Sequence, residues 1–219
     1  MNYTEGLFQF IEKSPTPFHV IDNMKQELEE QGYKQLLERE EWKLEHGGKY
    51  YVIRNGSAMV AFRVPKGTFS GFQIVASHSD APCLKLKENP ELWSEQAYVR
   101  LNVEKYGGMI CSTWFDRPLS VAGRLLVKSE EGVTVKLVQI DKDLLMLPSL
   151  AIHMNRDINT GYDYHAQKDM LPLYGMGTKG EKESFMDRIA READVKKEDI
   201  LGSDLYVYNR MQGSVWGSE

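Results

Sequence analysis

The spacing of apolar residues changes along the chain, and this change limits the folds that are open to it. Val20, Ile21, Met24 and Leu28 recur at helical spacing, with charged side chains on the opposite face. From about Lys85 onward, the apolar residues fall instead into short β-like runs separated by glycines and polar turns. The sequence therefore predicts a mixed α/β protein in which a β-rich part follows a part that contains helix.

Proline and glycine mark the two ends of the predicted helix. Residues 14–17, Ser-Pro-Thr-Pro, form a stiff turn, because each proline fixes φ and biases the preceding residue away from helix. We expect the helix to begin directly after this turn, and Gly32 supplies its C-terminal stop.

A hairpin and an apolar run follow the helix. Lys49–Arg54 and Ala58–Val64 are β-rich and are joined by Asn55-Gly56, a strong hairpin signal because both residues tolerate φ > 0. Phe72–Ser77 is short and mostly apolar, which predicts a strand buried on both faces of a sheet. This run ends on His78-Ser79-Asp80, and sites in α/β sheets form beyond the carboxyl ends of strands.

The later part of the chain is predicted to be a second, β-rich domain. Its predicted elements are strands at Tyr98–Lys105, Leu119–Val127 and Val133–Gln139, a mobile glycine- and lysine-rich loop at 175–182, a short helix through Phe185, Ile189 and Ala193, and a strand at Asp204–Tyr208.

Composition excludes several classes of partner. The net charge of −5 provides no basic stripe for phosphates, so nucleic acid is not expected as a partner. No apolar run approaches the roughly 20 residues that cross a bilayer, so no membrane contact is expected, and the start does not resemble a secretory signal. Cys83 and Cys111 lack close pairing spacing, which favours free thiols and a cytoplasmic location.

His78 and Asp80 form the sharpest candidate site. A histidine at the end of an apolar strand can bind zinc through a neutral ring nitrogen, and a carboxylate two residues later can fix its tautomer. The pattern is also short and common, so by itself it favours a surface histidine in a strand-to-loop turn.

Longer strings of residues resemble one family, the aspartyl aminopeptidases and vacuolar aminopeptidase I, which are dinuclear zinc exopeptidases. The resemblance begins near residue 5 and continues to the end of the chain, in the family's order and with similar spacing. The strings are Ser14-Pro-Thr-Pro-Phe-His19, Ala76-Ser-His-Ser-Asp-Ala-Pro-Cys-Leu-Lys85, Tyr106-Gly-Gly, Ser112-Thr-Trp-Phe-Asp-Arg-Pro-Leu-Ser-Val-Ala-Gly-Arg124 and Leu150-Ala-Ile-His-Met-Asn-Arg156.

The resemblance implies a zinc-exopeptidase-type α/β catalytic domain that is interrupted by a β-rich dimerisation domain. Residues 1–85 would begin the catalytic domain, 86–200 would form the dimerisation domain, and 201–219 would return towards the catalytic domain. The resemblance also implies twelve subunits in a closed shell. A complete active site would hold two zinc ions, with manganese or cobalt as alternatives.

The resemblance also assigns roles to three residues. The position of His78 is a zinc ligand, and the position of Asp80 is the supporting catalytic carboxylate. His153 would lie on a loop that reaches a neighbouring subunit's active site, as a metal ligand or as a donor to the substrate. From the pattern alone, His153 in the apolar run Leu147–Met154 could equally be a satisfied core histidine.

The expected function is removal of an acidic or apolar N-terminal residue from peptides by metal-assisted hydrolysis. The family's other metal ligands and general base lie beyond these 219 residues, so the chain is expected to stop before most of the site and to be inactive alone. Two rivals remain: a non-catalytic assembly module, and a small-molecule-binding α/β protein, although no phosphate-cradling glycine loop is present.

The remaining candidates receive structural interpretations. His19 is expected at the helix start, with a substrate role as the alternative, and His46 and His165 are expected to be solvated. The other expectations concern Asp116 and Arg117, which could pair with charges across a subunit interface, and Lys85 and Lys87, which are expected on a solvated strand face.

Overall fold

The chain divides into two compact units, Met1–Ala81 and Pro82–Glu219. The structure is a computed structural model that describes residues 2–95, 97–177, 180 and 183–218. The predicted mixed α/β class is confirmed, because helices and sheets both occur.

Two helices and a small sheet make up the first unit. Helix α1 is Tyr3–Lys13 and α2 is Pro17–Glu30. The strands are β1 (Lys34–Gln35), β2 (Lys49–Arg54) and β3 (Ala58–Arg63), in the order β1-β2-β3. Strand β1 runs parallel to β2, and β2 runs antiparallel to β3.

The predicted helix boundaries are confirmed in α2. Pro17 occupies the first turn, where its missing N–H costs no hydrogen bond, and Gly32 follows the helix at φ +78°. Phe18 and Ile21 are buried on the inner face of α2. Sequence analysis did not predict α1, and none of its residues is buried.

The predicted hairpin is also confirmed. Strands β2 and β3 pair in register from Lys49 with Arg63 to Arg54 with Ala58. The turn residues Asn55 and Gly56 have φ values of 54° and 68°. Both values lie in the left-handed region that the two-residue turn requires.

The predicted buried strand at Phe72–Ser77 is wrong. Residues 71–78 have no regular secondary structure, and the side chains of Phe72, Ile74 and Val75 are 82%, 83% and 98% exposed. A strand exists only when a neighbour accepts its backbone hydrogen bonds, and the described sheet of this unit contains β1, β2 and β3 alone. The apolar composition of this run is typical of a strand. Composition cannot show the neighbouring strand that pairing requires, and no such neighbour lies among the described residues.

The second unit is built on one six-stranded antiparallel sheet with the order β7-β6-β9-β4-β5-β8. Its strands are β4 (Cys83–Ser94), β5 (Tyr98–Tyr106), β6 (Leu119–Ser129), β7 (Gly132–Gln139), β8 (Leu173–Met176) and β9 (Ile200–Asn209), and helix α3 is Phe185–Glu192.

The core of this unit lies against the sheet. Leu84, Leu101 and Leu125 project from three different strands and are fully buried. Helix α3 contributes Phe185 and Ile189, which are spaced four residues apart and are also fully buried. The predicted strands at 98–105, 119–127, 133–139 and 204–208 and the predicted helix are thus confirmed, each within a few residues.

A glycine lets two central strands approach closely. A Cβ atom on Gly123 of β6 would overlap the carbonyl oxygen of Asp204 in β9 and lie 2.9 Å from the Cα of Leu205. No larger residue fits at this crossing without movement of the backbone.

The two units divide at Ala81/Pro82, so Cys83–Lys85 belong to β4 of the second unit. Residues 200–209 form β9, which pairs with β6 and β4 in the second sheet. The domain bounds 1–85, 86–200 and 201–219 stay a prediction. Of the mobile loop predicted at 175–182, the first two residues end β8, and 178, 179, 181 and 182 lie outside the described residues.

Among the described residues, no helix combines the length and the apolar composition that a bilayer crossing requires.

Candidate functional site

His78 and Asp80 lie together in a short turn near the end of the first unit. The Nδ1 atom of His78 is 2.9 Å from Oδ1 of Asp80. An ionised carboxylate only accepts hydrogen bonds, so in the neutral imidazole this contact places the proton on Nδ1 and leaves Nε2 as the unprotonated nitrogen. The pair thus has the arrangement of a metal-binding histidine supported by a carboxylate.

The turn is held by a contact with the hairpin. The hydroxyl of Ser79 donates a 2.8 Å hydrogen bond to the backbone carbonyl of Ser57, the residue before β3. This bond fixes the residue between His78 and Asp80, although the preceding segment is irregular. The imidazole therefore projects from an anchored turn rather than from the end of a paired strand.

The ring of His78 is open to solvent, with 91% of its side-chain surface exposed, whereas Asp80 is 30% exposed. Exposure of Nε2 still leaves the metal-binding nitrogen accessible, since the hydrogen bond occupies the other nitrogen.

The donor set is too small for a complete metal site. Across residues 2–95, 97–177, 180 and 183–218, no group of three or more His, Cys, Asp or Glu side chains is placed to hold a metal ion. Structural zinc needs four ligands and catalytic zinc needs three from the protein. The described residues fit one ligand and its supporting carboxylate, and they do not fit a whole zinc site.

His153 lies in an exposed turn of the second unit. The backbone N–H of Met154 donates to the carbonyl of Ala151 over 2.8 Å and closes this turn. Because the His153 side chain is exposed, the alternative of a satisfied core histidine is wrong. The structure divides His78 and His153 between the two units.

The segment that carries His153 is anchored at its start by Asp116. The backbone N–H of Ser149 donates to Oδ1 of Asp116 over 2.9 Å. Hydrogen bonds from the hydroxyl and the backbone of Ser149 hold the pKa of Asp116 below its usual value. That Asp116 could also pair with a charge across a subunit interface stays a prediction.

Sequence analysis missed a cluster of charges on the second sheet. Asp204 of β9 accepts from Lys85 of β4 and from Arg124 of β6, each over 2.9 Å. Burial raises the pKa of Asp204, but the hydrogen bonds from Lys85 and Arg124 outweigh it, so the pKa lies below its usual value. The expectation that Lys85 lies on a solvated strand face is wrong, because Lys85 pairs with Asp204. Asp204 lies 119 positions later, so the local alternation of apolar and charged residues around Lys85 could not reveal it.

The remaining histidines and cysteines take structural positions. His19 is buried at the start of α2, and its Nδ1 lies 2.7 Å from Oγ1 of Thr16. His46 and His165 are exposed, as expected. Cys83 and Cys111 are free thiols, which confirms that part of the analysis.

Solved structures with the same fold are aminopeptidases. Chaetomium thermophilum mApe1 superposes with a TM-score of 0.89 at 32% identity, over 99% of this chain and 52% of that one. Ape4 in its complex with Nbr1 gives the same TM-score and identity, and the match covers 96% of this chain and 44% of the Ape4 structure's chain. The S. cerevisiae mApe1 dodecamer gives a TM-score of 0.78 at 26% identity, over 99% of this chain and 50% of that one. The fold is therefore that of a metallo-aminopeptidase.

The chain belongs to the aminopeptidase I zinc metalloprotease family, M18, whose profile matches residues 10–219. It is 44% identical over 225 residues to a probable M18 family aminopeptidase 2 of Clostridium novyi, covering 100% of this chain and 52% of the relative. A protein of the same description in Pseudomonas paraeruginosa is 37% identical, and the match covers 97% of this chain and 51% of that protein. The resemblance found in the sequence is confirmed, and the chain spans about half the length of these curated relatives.

Proposed function

We propose that this chain supplies the first part of a zinc-dependent aminopeptidase that removes N-terminal residues, acidic or apolar, from peptides. The observation that carries the proposal is the 2.9 Å contact between His78 and Asp80, in a chain whose M18 match covers residues 10–219. The first unit would be part of the catalytic domain, and the second unit would be the dimerisation domain.

His78 would bind the metal through Nε2, and Asp80 would keep the proton on Nδ1 and hold the ring in place. Two zinc ions are expected in the complete site, with manganese or cobalt as alternatives. When bound, such metal would lower the pKa of a water molecule and polarise the scissile carbonyl. The other ligands and the base that accepts the water's proton would come from polypeptide outside these 219 residues.

His153 would contribute from the second unit, as a metal ligand or as a hydrogen-bond donor to the substrate carbonyl. Its exposed position in a turn whose segment is anchored by Asp116 supports this role, because a group that reaches a neighbour must be both accessible and held. The site it would serve is that of a neighbouring subunit.

Self-association would occur through the second unit, and we propose a dodecamer for the complete protein. The support is the similarity to the S. cerevisiae mApe1 dodecamer, over 99% of this chain. We also propose a cytoplasmic location, on the ground that both cysteines are free thiols.

The test replaces His78 with alanine in the complete protein. Loss of a first ligand should abolish turnover and lower the bound zinc, while the subunit assembly stays intact because the side chain is exposed. Asp80→Asn should lower kcat/KM by about 10- to 100-fold, because the His78 ring would lose the carboxylate that holds it in place. The measurements are peptide hydrolysis, zinc content and particle mass.

His46→Ala is the matched control, since His46 is an exposed histidine of the same unit whose Nδ1 lies 3.3 Å from the carbonyl oxygen of Pro65. It should hydrolyse peptides at a near-normal rate. A near-normal rate in His78→Ala would remove His78 from the site.

The second candidate is a non-catalytic assembly module. It is favoured by the independent six-stranded sheet and by the lack of a three-ligand group in the described part of the chain. Solution mass separates the two candidates: a dimer or larger particle that never binds zinc, even with the rest of the protein present, supports the module.

A further inference from the structure

The second unit contains a cavity whose lining includes none of His78, Asp80 and His153. Its volume is about 460 Å³, and it lies between the β4–β5 hairpin end and the segment 148–169. Pockets that bind small molecules are usually between roughly 300 and 1,000 Å³. The cavity is therefore large enough for a small metabolite.

Aromatic rings form one wall of this cavity. The ring centroid of Tyr164 lies 5.1 Å from that of Phe115, in a tilted arrangement. It also lies 5.1 Å from that of Tyr162, in an edge-on arrangement. Leu171 is 6% exposed and, together with Leu173, completes an apolar lining. Such a surface favours an aromatic or aliphatic group.

The acidic residue Asp169 is already engaged within the protein. Its Oδ2 accepts a 2.7 Å hydrogen bond from the backbone N–H of His165. A hydrogen bond from the hydroxyl of Tyr162 to Asp169 raises the pKa of that tyrosine. Asp169 therefore holds the aromatic wall in position and is not the group that would meet a ligand.

Three other charged residues, Arg100, Glu95 and Lys168, line the cavity, and none forms an ion pair with another described residue. Arg100 donates from Nε to Oγ of Ser94 over 3.1 Å, and within the described residues no carboxylate lies at ion-pair distance from its guanidinium. Glu95, in the turn that follows β4, likewise forms no ion pair with a described cation. The apolar space is thus bordered by the guanidinium of Arg100, the carboxylate of Glu95 and the ammonium group of Lys168, none of which has an ion-pair partner among the described residues.

We propose that this cavity binds a free α-amino acid or a dipeptide with an aromatic or aliphatic side chain. The guanidinium of Arg100 would hold the ligand carboxylate through paired hydrogen bonds, and Glu95 would hold the ammonium group. The aromatic wall would contact the side chain. None of His78, Asp80 and His153 lines this cavity, so binding of the amino acid and peptide hydrolysis can be measured separately.

The test measures binding of L-phenylalanine to the purified chain by isothermal titration calorimetry. Arg100→Gln should weaken binding about tenfold or more, because it removes charged hydrogen bonds to the carboxylate. Lys105→Gln is the matched control: Lys105 is an exposed cation of the same strand outside the cavity, and its loss should change affinity less than about twofold. Thermal unfolding of each variant verifies that it is folded.

Two modified ligands test the two charged contacts separately. L-phenylalaninamide lacks the carboxylate and N-acetyl-L-phenylalanine lacks the ammonium group, and each should bind about tenfold more weakly than phenylalanine. Ile158→Trp should fill the cavity and abolish binding without altering either charge.

Three results would overturn the proposal. The first is no saturable binding of phenylalanine, which is also the result expected if a second copy of the chain covers the cavity. The second is equal affinity in Arg100→Gln and Lys105→Gln. The third is equal affinity for phenylalanine and its amide.

Discussion

The buried histidine of α2 links the stability of the first unit to pH. Burial lowers the pKa of His19 from 6.5 to about 4, against a smaller opposing effect of the Asp22 charge. Between these two pH values the unfolded chain binds a proton that the folded chain excludes. The stability contributed by neutral His19 is therefore present above pH 6.5 and is lost as the pH falls towards 4.

We predict that acidification from pH 7 to 4 removes up to roughly 3 kcal/mol from the free energy of unfolding of this unit, through His19. His19→Gln should lack most of this pH dependence. The measurements are NMR titration of the histidine ring protons and native-state hydrogen exchange in α2 at several pH values. A His19 ring that titrates near pH 6.5 would contradict the prediction.

The contact at Gly123 gives a second prediction about a single residue. Gly123→Ala should destabilise the second unit by about 1–3 kcal/mol, because its methyl group would overlap the backbone of β9. Urea denaturation measures the change. Gly175→Ala is the control. Gly175 is a strand glycine of the same sheet with nothing within 4 Å of an added Cβ, so the stability of the second unit should stay the same or rise slightly in this variant. Equal effects of the two substitutions would disprove the close approach.

Among the structural elements, the β2–β3 hairpin depends on its turn. Gly56→Val should cost roughly 1–2 kcal/mol, because a branched side chain would have to adopt φ near 68°. Hydrogen exchange of the β2 amides should report the loss. Gly67→Val, at an open glycine of the same unit outside the left-handed region, should leave that exchange unchanged. Faster exchange in both variants would show that the turn is not the cause.

The elements that could be predicted from sequence are those whose causes are local. Asn55-Gly56 specifies its own turn, and Pro17 and Gly32 limit α2. Phe72–Ser77 shows the opposite case: its apolar composition is typical of a strand, but strand formation depends on a distant partner. Element type therefore follows from sequence where the hydrogen bonds are made within a few residues.

The same distinction applies to the candidate site. The His78–Asp80 pair was predicted because both groups lie within one turn. The ion pair of Lys85 with Asp204 was missed, since its members come from strands far apart in sequence. The cavity beside Arg100 was missed for the same reason, because its walls come from three separate segments.

For the whole molecule, we predict that these 219 residues have no aminopeptidase activity when purified and supplied with zinc. One histidine ligand in the described part cannot hold a dinuclear site. Hydrolysis of aspartyl and leucyl p-nitroanilides is the assay. Activity that copurifies with the chain and disappears in His78→Ala would refute the prediction, whereas activity that persists in that variant identifies a contaminant.

The position of β9 between β6 and β4 determines when the second unit can be completed during synthesis. Until residues 200–209 leave the ribosome, β6 with β7 and β4 with β5 and β8 share no strand, and the short bridges of Leu145 to Leu119 and of Met146 to Leu173 link them. Strand β9 pairs with segments that lie far before it in the sequence, and such pairing is slow. The hydrophobic core of the second unit therefore stays incomplete until β9 is inserted between β6 and β4.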